Sequence, residues 1–227
     1  VLLVRWGSYT GARITRGLTI RGLQSTAFVA RLRTPIVVEG LPANERVALQ
    51  GLHLGTSSPS IAALIIVRRC SGTVQIEECD GSSYPFSTTT SGQTPLQIEA
   101  SARVIVRNCI FHGHRPNFST QTPAVRLSGS TVLMYGCLLL GGAGEYCQSQ
   151  RGGLALEASG CTLLLSGCRI VGGTGSSGNC LIQNCSTGWG GPGASAAGTR
   201  VLDYGSAIEG GWDGTWSCWA TRPPGRN

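Results

Sequence analysis

Lysine is missing from this 227-residue chain, and its formal net charge of +7 therefore rests on arginine alone. A nucleic-acid interface gathers basic residues into a patch with aromatics among them. Here they are spread out: Arg5, Arg13, Arg16 and Arg21 near the start, Arg31 and Arg33, the pair Arg68-Arg69, then single positions as far as Arg226. No nucleic-acid partner is expected, whereas the same field would attract an acidic polysaccharide or an acidic cell surface. Histidine is almost as scarce, with only His53, His112 and His114, and no two cysteines have the two-residue spacing of a zinc site. Neither metal nor cofactor is expected. No apolar run reaches the ~18 residues that a membrane-spanning helix needs. Charged residues make up only 13% of the chain and aromatics 6%, against 34 glycines. The chain opens at Val1 without a charged leader, which implies either a processed mature chain or missing upstream sequence.

What is present is repetition. Seven segments superimpose at spacings of 27 to 38 residues, with one column reading Leu23, Leu52, Cys79, Cys109, Cys137, Cys168 and Ser206. Val74-Gln-Ile-Glu-Glu-Cys79, Val104-Ile-Val-Arg-Asn-Cys109 and Val132-Leu-Met-Tyr-Gly-Cys137 show the pattern. Each apolar run is short, β-branched and bounded by Gly, Ser, Thr or Asn, so strands fit and helices do not. A second run precedes each column segment, as in Ile65-Ile-Val-Arg68, and a third follows it, as in Leu138-Leu-Leu140, often closed by Gly-Gly. Three short strands and three turns per repeat predict an all-β, right-handed parallel β-helix of about seven coils. The predicted solenoid covers 1–211, and 212–227 forms a Trp-rich C-terminal cap with an extended tail.

On these coils, and on the opening Val1-Leu-Leu-Val-Arg-Trp-Gly-Ser-Tyr9 followed by Gly17-Leu-Thr-Ile-Arg-Gly22, the chain resembles the pectin-lyase-like, right-handed β-helix superfamily. Trp6 stands where such proteins often carry Pro. The resemblance implies the fold and a secreted or cell-surface location. It leaves activity open, because the superfamily includes lyases, hydrolases, tailspikes, adhesins and proteins without known activity.

Strand alternation assigns the faces. With Val104, Val106 and Cys109 inward, Glu77, Arg107 and Tyr135 stack outward on successive coils, where an ion pair and a cation–π contact are expected. Arg68 and Glu99 are expected to pair likewise. Ile105, Leu133 and Leu164 form an apolar outward lane, and Ile110, Leu138, Leu140 and Val171 fall outward on the third strand. So large an apolar surface implies that a neighbouring chain or the C-terminal tail covers it, or that the register on that sheet is shifted by one.

Ten cysteines argue for an oxidising compartment. In the inward column, Cys79 with Cys109 and Cys137 with Cys168 either bridge or pack as reduced thiols, and Cys147, Cys180, Cys185 and Cys218 are the loop candidates for disulfides. Cys70 and Cys161 have no obvious partner. A polygalacturonase-like enzyme would bring several Asp residues together, yet Asp80, Asp203 and Asp213 are far apart in the coil series. Catalytic residues are therefore not expected. Glu77, Arg107, His112, His114, Arg115 and Tyr135 remain as a candidate glycan-binding surface, together with Glu78.

These readings converge on a non-catalytic, extracellular structural protein. It would be a subunit of a surface layer, appendage or fibre that assembles with itself or another surface protein through the apolar lanes and coil ends. The alternative is a polysaccharide-binding or polysaccharide-degrading module, with lyase or glycoside hydrolase activity, in a larger surface protein.

Overall fold

The computed structural model describes residues 1–5, 7–23, 30–56, 61–82, 94–113, 122–144, 151–176 and 188–213. Its strands form three all-parallel sheets, two of eight strands and one of seven, and each strand pairs with its counterpart one coil away. The fold is a right-handed parallel β-helix of seven full turns, followed by two strands of an eighth. Sheet 1 contains Leu2–Val4, Leu18–Gly22, Arg46–Gln50, Thr73–Glu77, Arg103–Arg107, Thr131–Tyr135, Thr162–Ser166 and Arg200–Tyr204. Sheet 2 follows at Gly7–Tyr9, Ala30–Leu32, His53–Thr56, Asp80–Ser82, Ile110–His112, Leu138–Leu140, Arg169–Val171 and Ala207–Glu209. Sheet 3 runs through Ala12–Ile14, Ile36–Glu39, Ala63–Arg68, Thr94–Glu99, Val125–Ser128, Leu156–Ser159 and Ala194–Ala197.

The core is a set of stacked inward lanes. In sheet 1, Val47, Val74, Val104 and Val132 occupy one lane and Leu49, Ile76, Val106 and Met134 the next, all fully buried. Each strand is β-branched or aliphatic at these positions because an inward side chain meets its counterparts directly above and below, at about 4.8 Å spacing. The lanes stop at the eighth coil. Asp203 stands at the position of buried Leu165, accepts a hydrogen bond from the Ser206 amide at 3.2 Å, and is exposed with its neighbours Val201 and Ile208.

Two of the three corners are tight, and one residue explains each. From sheet 1 to sheet 2, Gly51, Glu78, Asn108, Gly136, Gly167 and Gly205 adopt φ between 51 and 71°. From sheet 3 to sheet 1, Gly40, Arg69, Ala100, Gly129, Gly160 and Gly198 adopt φ between 44 and 62°. The residue that follows each bend points inward, which makes two ladders. One is Leu52, Cys79, Cys109, Cys137, Cys168 and Ser206; the other is Leu41, Cys70, Ser101, Ser130, Cys161 and Thr199.

Cys and Ser recur in both ladders, and Thr joins them in the second, because the position suits a small side chain that donates back and accepts from the coil before. Cys109 Sγ donates to the Arg107 carbonyl at 3.1 Å, and Ser101 Oγ to that of Glu99 at 2.8 Å. The Cys79 amide donates to Cys109 Sγ at 3.4 Å, and the Cys161 amide to Thr199 Oγ1 at 3.2 Å. Cys70 and Cys161, which had no obvious partner in the sequence, are thus rungs of the second ladder.

All six described cysteines are buried free thiols, so neither Cys79 with Cys109 nor Cys137 with Cys168 is bridged. The hydrogen bond with Cys109, reinforced by burial, pushes the Cys137 thiol up to about 12. Cys168 is raised by its bond with Cys137 and by burial. For Cys109 the bond with Cys137 pulls downward, but the bond with Cys79 and burial outweigh it. Reactivity belongs to the thiolate, so these are inert structural side chains. Cysteine count consequently loses much of its force as a sign of an oxidising compartment. Cys147, Cys180, Cys185 and Cys218 lie outside the described residues.

The ladder differs from the sequence reading at its ends. Leu23 is 45% exposed, and seven residues, in place of two, separate Gly22 from the next strand at Ala30. Ser206 is only half-buried, on the terminal coil.

The third corner, from sheet 2 to sheet 3, carries the long connections. They run 10–11, 33–35, 57–62, 83–93, 113–124, 141–155 and 172–193, lengthening along the helix. In the last coils their roots are glycine pairs that hydrogen-bond to one another: Gly153 to Gly142 at 2.7 Å, Gly173 to Gly153 at 2.8 Å, Gly191 to Gly173 at 2.8 Å and Gly211 to Gly191 at 2.7 Å. Trp212 follows this stack and is 79% exposed, while 214–227 lies outside the described residues.

Candidate functional site

The outward face of sheet 1 holds a lane of polar and aromatic side chains: Arg21, Gln50, Glu77, Arg107, Tyr135, Ser166 and Tyr204. Gln50 Nε2 donates to Glu77 Oε2 at 3.0 Å, and Arg107 Nη1 lies 3.7 Å from Glu77 Oε1. The same guanidinium sits over the Tyr135 ring, 5.4 Å from its centroid. Arg107 thus links coils on either side of its own, by charge toward Glu77 and by cation–π attraction toward Tyr135.

At the head of this lane is a cleft of about 490 Å³, lined by Arg21, Leu23, Gln50, Glu77 and Glu78 over a floor that includes Gly22 and Gly51. Exposed Leu23 supplies an apolar wall and the remaining side chains supply donors and acceptors. Glu78 enters it from a left-handed backbone conformation, φ 53°, which costs a non-glycine residue roughly 1 kcal/mol.

His112 is half-buried on sheet 2, where its register partners are Ser82 and Leu140, so it does not join Glu77, Arg107 and Tyr135 on sheet 1. His114 and Arg115 lie outside the described residues. Beside the polar lane, Ile105, Leu133 and Leu164 face outward and half-exposed, and Leu202, at 36%, continues the row. On sheet 2, Ile110 is 38% exposed and Leu138, Leu140 and Val171 are half-buried, with Phe111, Leu139 and Ile170 turned into the core.

Among the described residues the most concentrated charge lies elsewhere, and it escaped the sequence reading. Glu39 on sheet 3 has a side chain only 6% exposed and takes three guanidinium groups: Arg13 Nη2 at 2.8 Å, Arg68 Nη2 at 3.1 Å and Arg69 Nη2. Arg68, expected to pair with Glu99, turns instead toward Glu39 one coil earlier. Burial alone would raise the Glu39 carboxyl, but hydrogen bonds from Arg69 and Arg68 and the charges of Arg13 and Arg68 hold it below the usual carboxylate range.

A carboxyl lowered in the folded state contributes stability above its unfolded value and loses that contribution as pH falls through the folded one. Glu39→Gln should therefore unfold at lower urea than the parent at neutral pH. The difference should close as pH falls below the ordinary carboxylate range. A constant difference from pH 7 to about pH 3 would show that charge at Glu39 is irrelevant.

Among the described residues no group of three or more His, Cys, Asp or Glu side chains is placed to hold a metal ion, and no helix is long and apolar enough to cross a membrane. The class defined by this architecture is a parallel β-helix repeat protein. Comparison with protein-family models, curated proteins and solved structures returns no match.

Proposed function

We propose that this chain is a non-catalytic structural member of the pectin-lyase-like β-helices, working outside the cell as a subunit of a surface layer, appendage or fibre. The observation that carries this reading is the outward apolar row Ile105, Leu133, Leu164 and Leu202 on a sheet that is otherwise solvent-facing. All-parallel sheets ordinarily have both faces covered, and a half-exposed aliphatic row on one of them is what a lateral neighbour would bury. Stacking through the eighth coil fits less well, because a coil laid on it would bury the inward Asp203 carboxylate without a counter-charge. Electron microscopy of the protein as isolated is the test. Laterally paired rods, or the sheets and bundles that such pairs build, are expected; dispersed single rods at every concentration would overturn the reading.

A second reading is favoured by the cleft at Arg21, Gln50, Glu77 and Glu78, whose mixed donors, acceptors and apolar wall suit a sugar ring. It makes the chain a carbohydrate-binding module. Glycan-array binding that is lost in Glu77→Ala and Gln50→Ala would support it.

A further inference from the structure

Among the described residues, sheet 1 differs from the other two faces in being bounded by short corners on both sides over its last three strands. From Thr131 onward its strands are entered through the two-residue corners Gly129-Ser130, Gly160-Cys161 and Gly198-Thr199. They are left through equally short ones at Gly136-Cys137, Gly167-Cys168 and Gly205-Ser206. Along this stretch the long connections 141–155 and 172–193 start and end at the opposite edge of the triangular coil, between sheets 2 and 3. The apolar row lies on this open stretch. Earlier in the same lane Ala48 and Gln75 are buried, Gln75 beneath a hydrogen bond from Arg46.

We propose that the open face of sheet 1 receives a second copy of this chain, packed face to face and antiparallel about a two-fold axis that passes through Leu133 along the strand direction. The inference rests on the structural reading above and specifies its partner and geometry. Charge and overlap together select the arrangement, since an antiparallel pair centred on Leu164 also keeps the arginines apart but matches only three coils and leaves Ile105 uncovered. Three arginines border the apolar row: Arg103 and Arg200 on one side, and Arg107 on the other. A parallel pair, with the axis along the solenoid, places Arg103 of one copy against Arg107 of the other. An antiparallel pair centred between Leu133 and Leu164 places Arg103 against Arg200.

Centring on Leu133 opposes Arg103 to Thr162, Arg107 to Ser166 and Arg200 to Thr73, so every guanidinium meets a hydroxyl. In that register Leu133 meets itself and Ile105 meets Leu164, while Leu202 at the end of the row meets Gln75. Glu77 comes against Tyr204.

The area is sufficient for a weak specific pair. Five coils about 4.8 Å apart, with strands of five residues at about 3.3 Å, give a face of roughly 400 Å². Two such faces with their side-chain relief bury on the order of 1,000 Å², the lower bound for a specific interface. Association is therefore expected in the micromolar range.

Sedimentation velocity of the whole chain between about 1 and 100 μM, a range that brackets such an affinity, is the experiment. Leu133→Arg should be monomeric throughout, with a circular-dichroism melt like the parent's because the side chain faces outward. Ser166→Glu, placed against the other copy's Arg107, should tighten the pair about threefold to tenfold, and Ser166→Arg should weaken it by at least as much. Equal effects of the two Ser166 substitutions would overturn the antiparallel register. A parent that associates while Leu133→Arg associates equally well would place the contact elsewhere, overturning this inference but leaving the structural reading intact. A parent that stays monomeric at the highest concentration would overturn both.

Discussion

Phe111→Ala should lower the free energy of unfolding by roughly 3–5 kcal/mol, measured by urea denaturation. The ring is completely buried and heads the fully buried side chains in size. Its register partner one coil earlier is Gly81, and a Cβ built on that glycine would lie 2.8 Å from Phe111 Cδ1. On the other side Leu139 is equally buried. The phenylalanine therefore occupies its own layer and the one that Gly81 leaves empty, so truncation opens a cavity that backbone hydrogen bonds on three sheets prevent from collapsing. Gly81→Ala alone should cost about 1–3 kcal/mol by overpacking. Combined with Phe111→Leu it should cost clearly less than the sum of the two, because the smaller side chain vacates the space the new methyl needs. Strict additivity would show that the ring does not fill the Gly81 layer.

That pair marks where sequence reasoning works and where it stops. Phe111 was legible as a member of an apolar run, and its inward direction followed from alternation with Ile110 and His112. The register that sets it over Gly81 was legible too, since Cys79 and Cys109 share a column. The complementarity of the two was not, because a glycine in a strand gives no hydrophobic signal.

The second ladder was missed for a related reason. Leu41, Cys70, Ser101, Ser130, Cys161 and Thr199 share a hydrogen-bonding role but no residue type, whereas four cysteines in the first column made it visible. At Arg68 the register itself is degenerate: Glu39 and Glu99 are its neighbours on either side. Periodicity cannot choose between them. The choice falls to Glu39 because Arg13 and Arg69 converge there, and Arg69 does so from a left-handed corner that no strand pattern announces. The outward lanes were legible because they need only alternation. The contrast between short and long corners was not, because strand alternation says nothing of corner length.

The proposed function draws on the same division between edges with short and long connections. One face, bounded by tight corners, carries an aliphatic row between polar lanes. The opposite edge gathers the long connections. Under the proposed pairing, the contact face and the starting points of the long connections lie at different edges of the coil, so substitutions can address each separately.

Gly173→Ala tests the crowded edge, and its effect should rival that of Phe111→Ala. Gly173 does not have a positive φ; it is required by proximity. A Cβ there would lie 1.9 Å from the Gly142 carbonyl oxygen, 2.6 Å from its carbon and 2.8 Å from the Gly153 nitrogen. All three are backbone atoms, so no side chain can rotate away, and the chain must separate. Separation breaks the bonds from the Gly173 amide to Gly153 and from Gly191 to Gly173, both 2.8 Å. A loss of about 3 kcal/mol or more is expected. Gly129→Ala is the control: its φ is +52° and nothing lies within 4 Å of the added carbon, so only the left-handed penalty of roughly 1 kcal/mol applies. Because each coil touches only its neighbours, the damage should stay local. Hydrogen exchange should show Thr162–Ser166 and Arg200–Tyr204 losing protection while Arg46–Gln50 keeps it. Equal costs for the two glycines, or uniform loss of protection along the rod, would mean that the glycine pairs are not what ties the long connections to the helix.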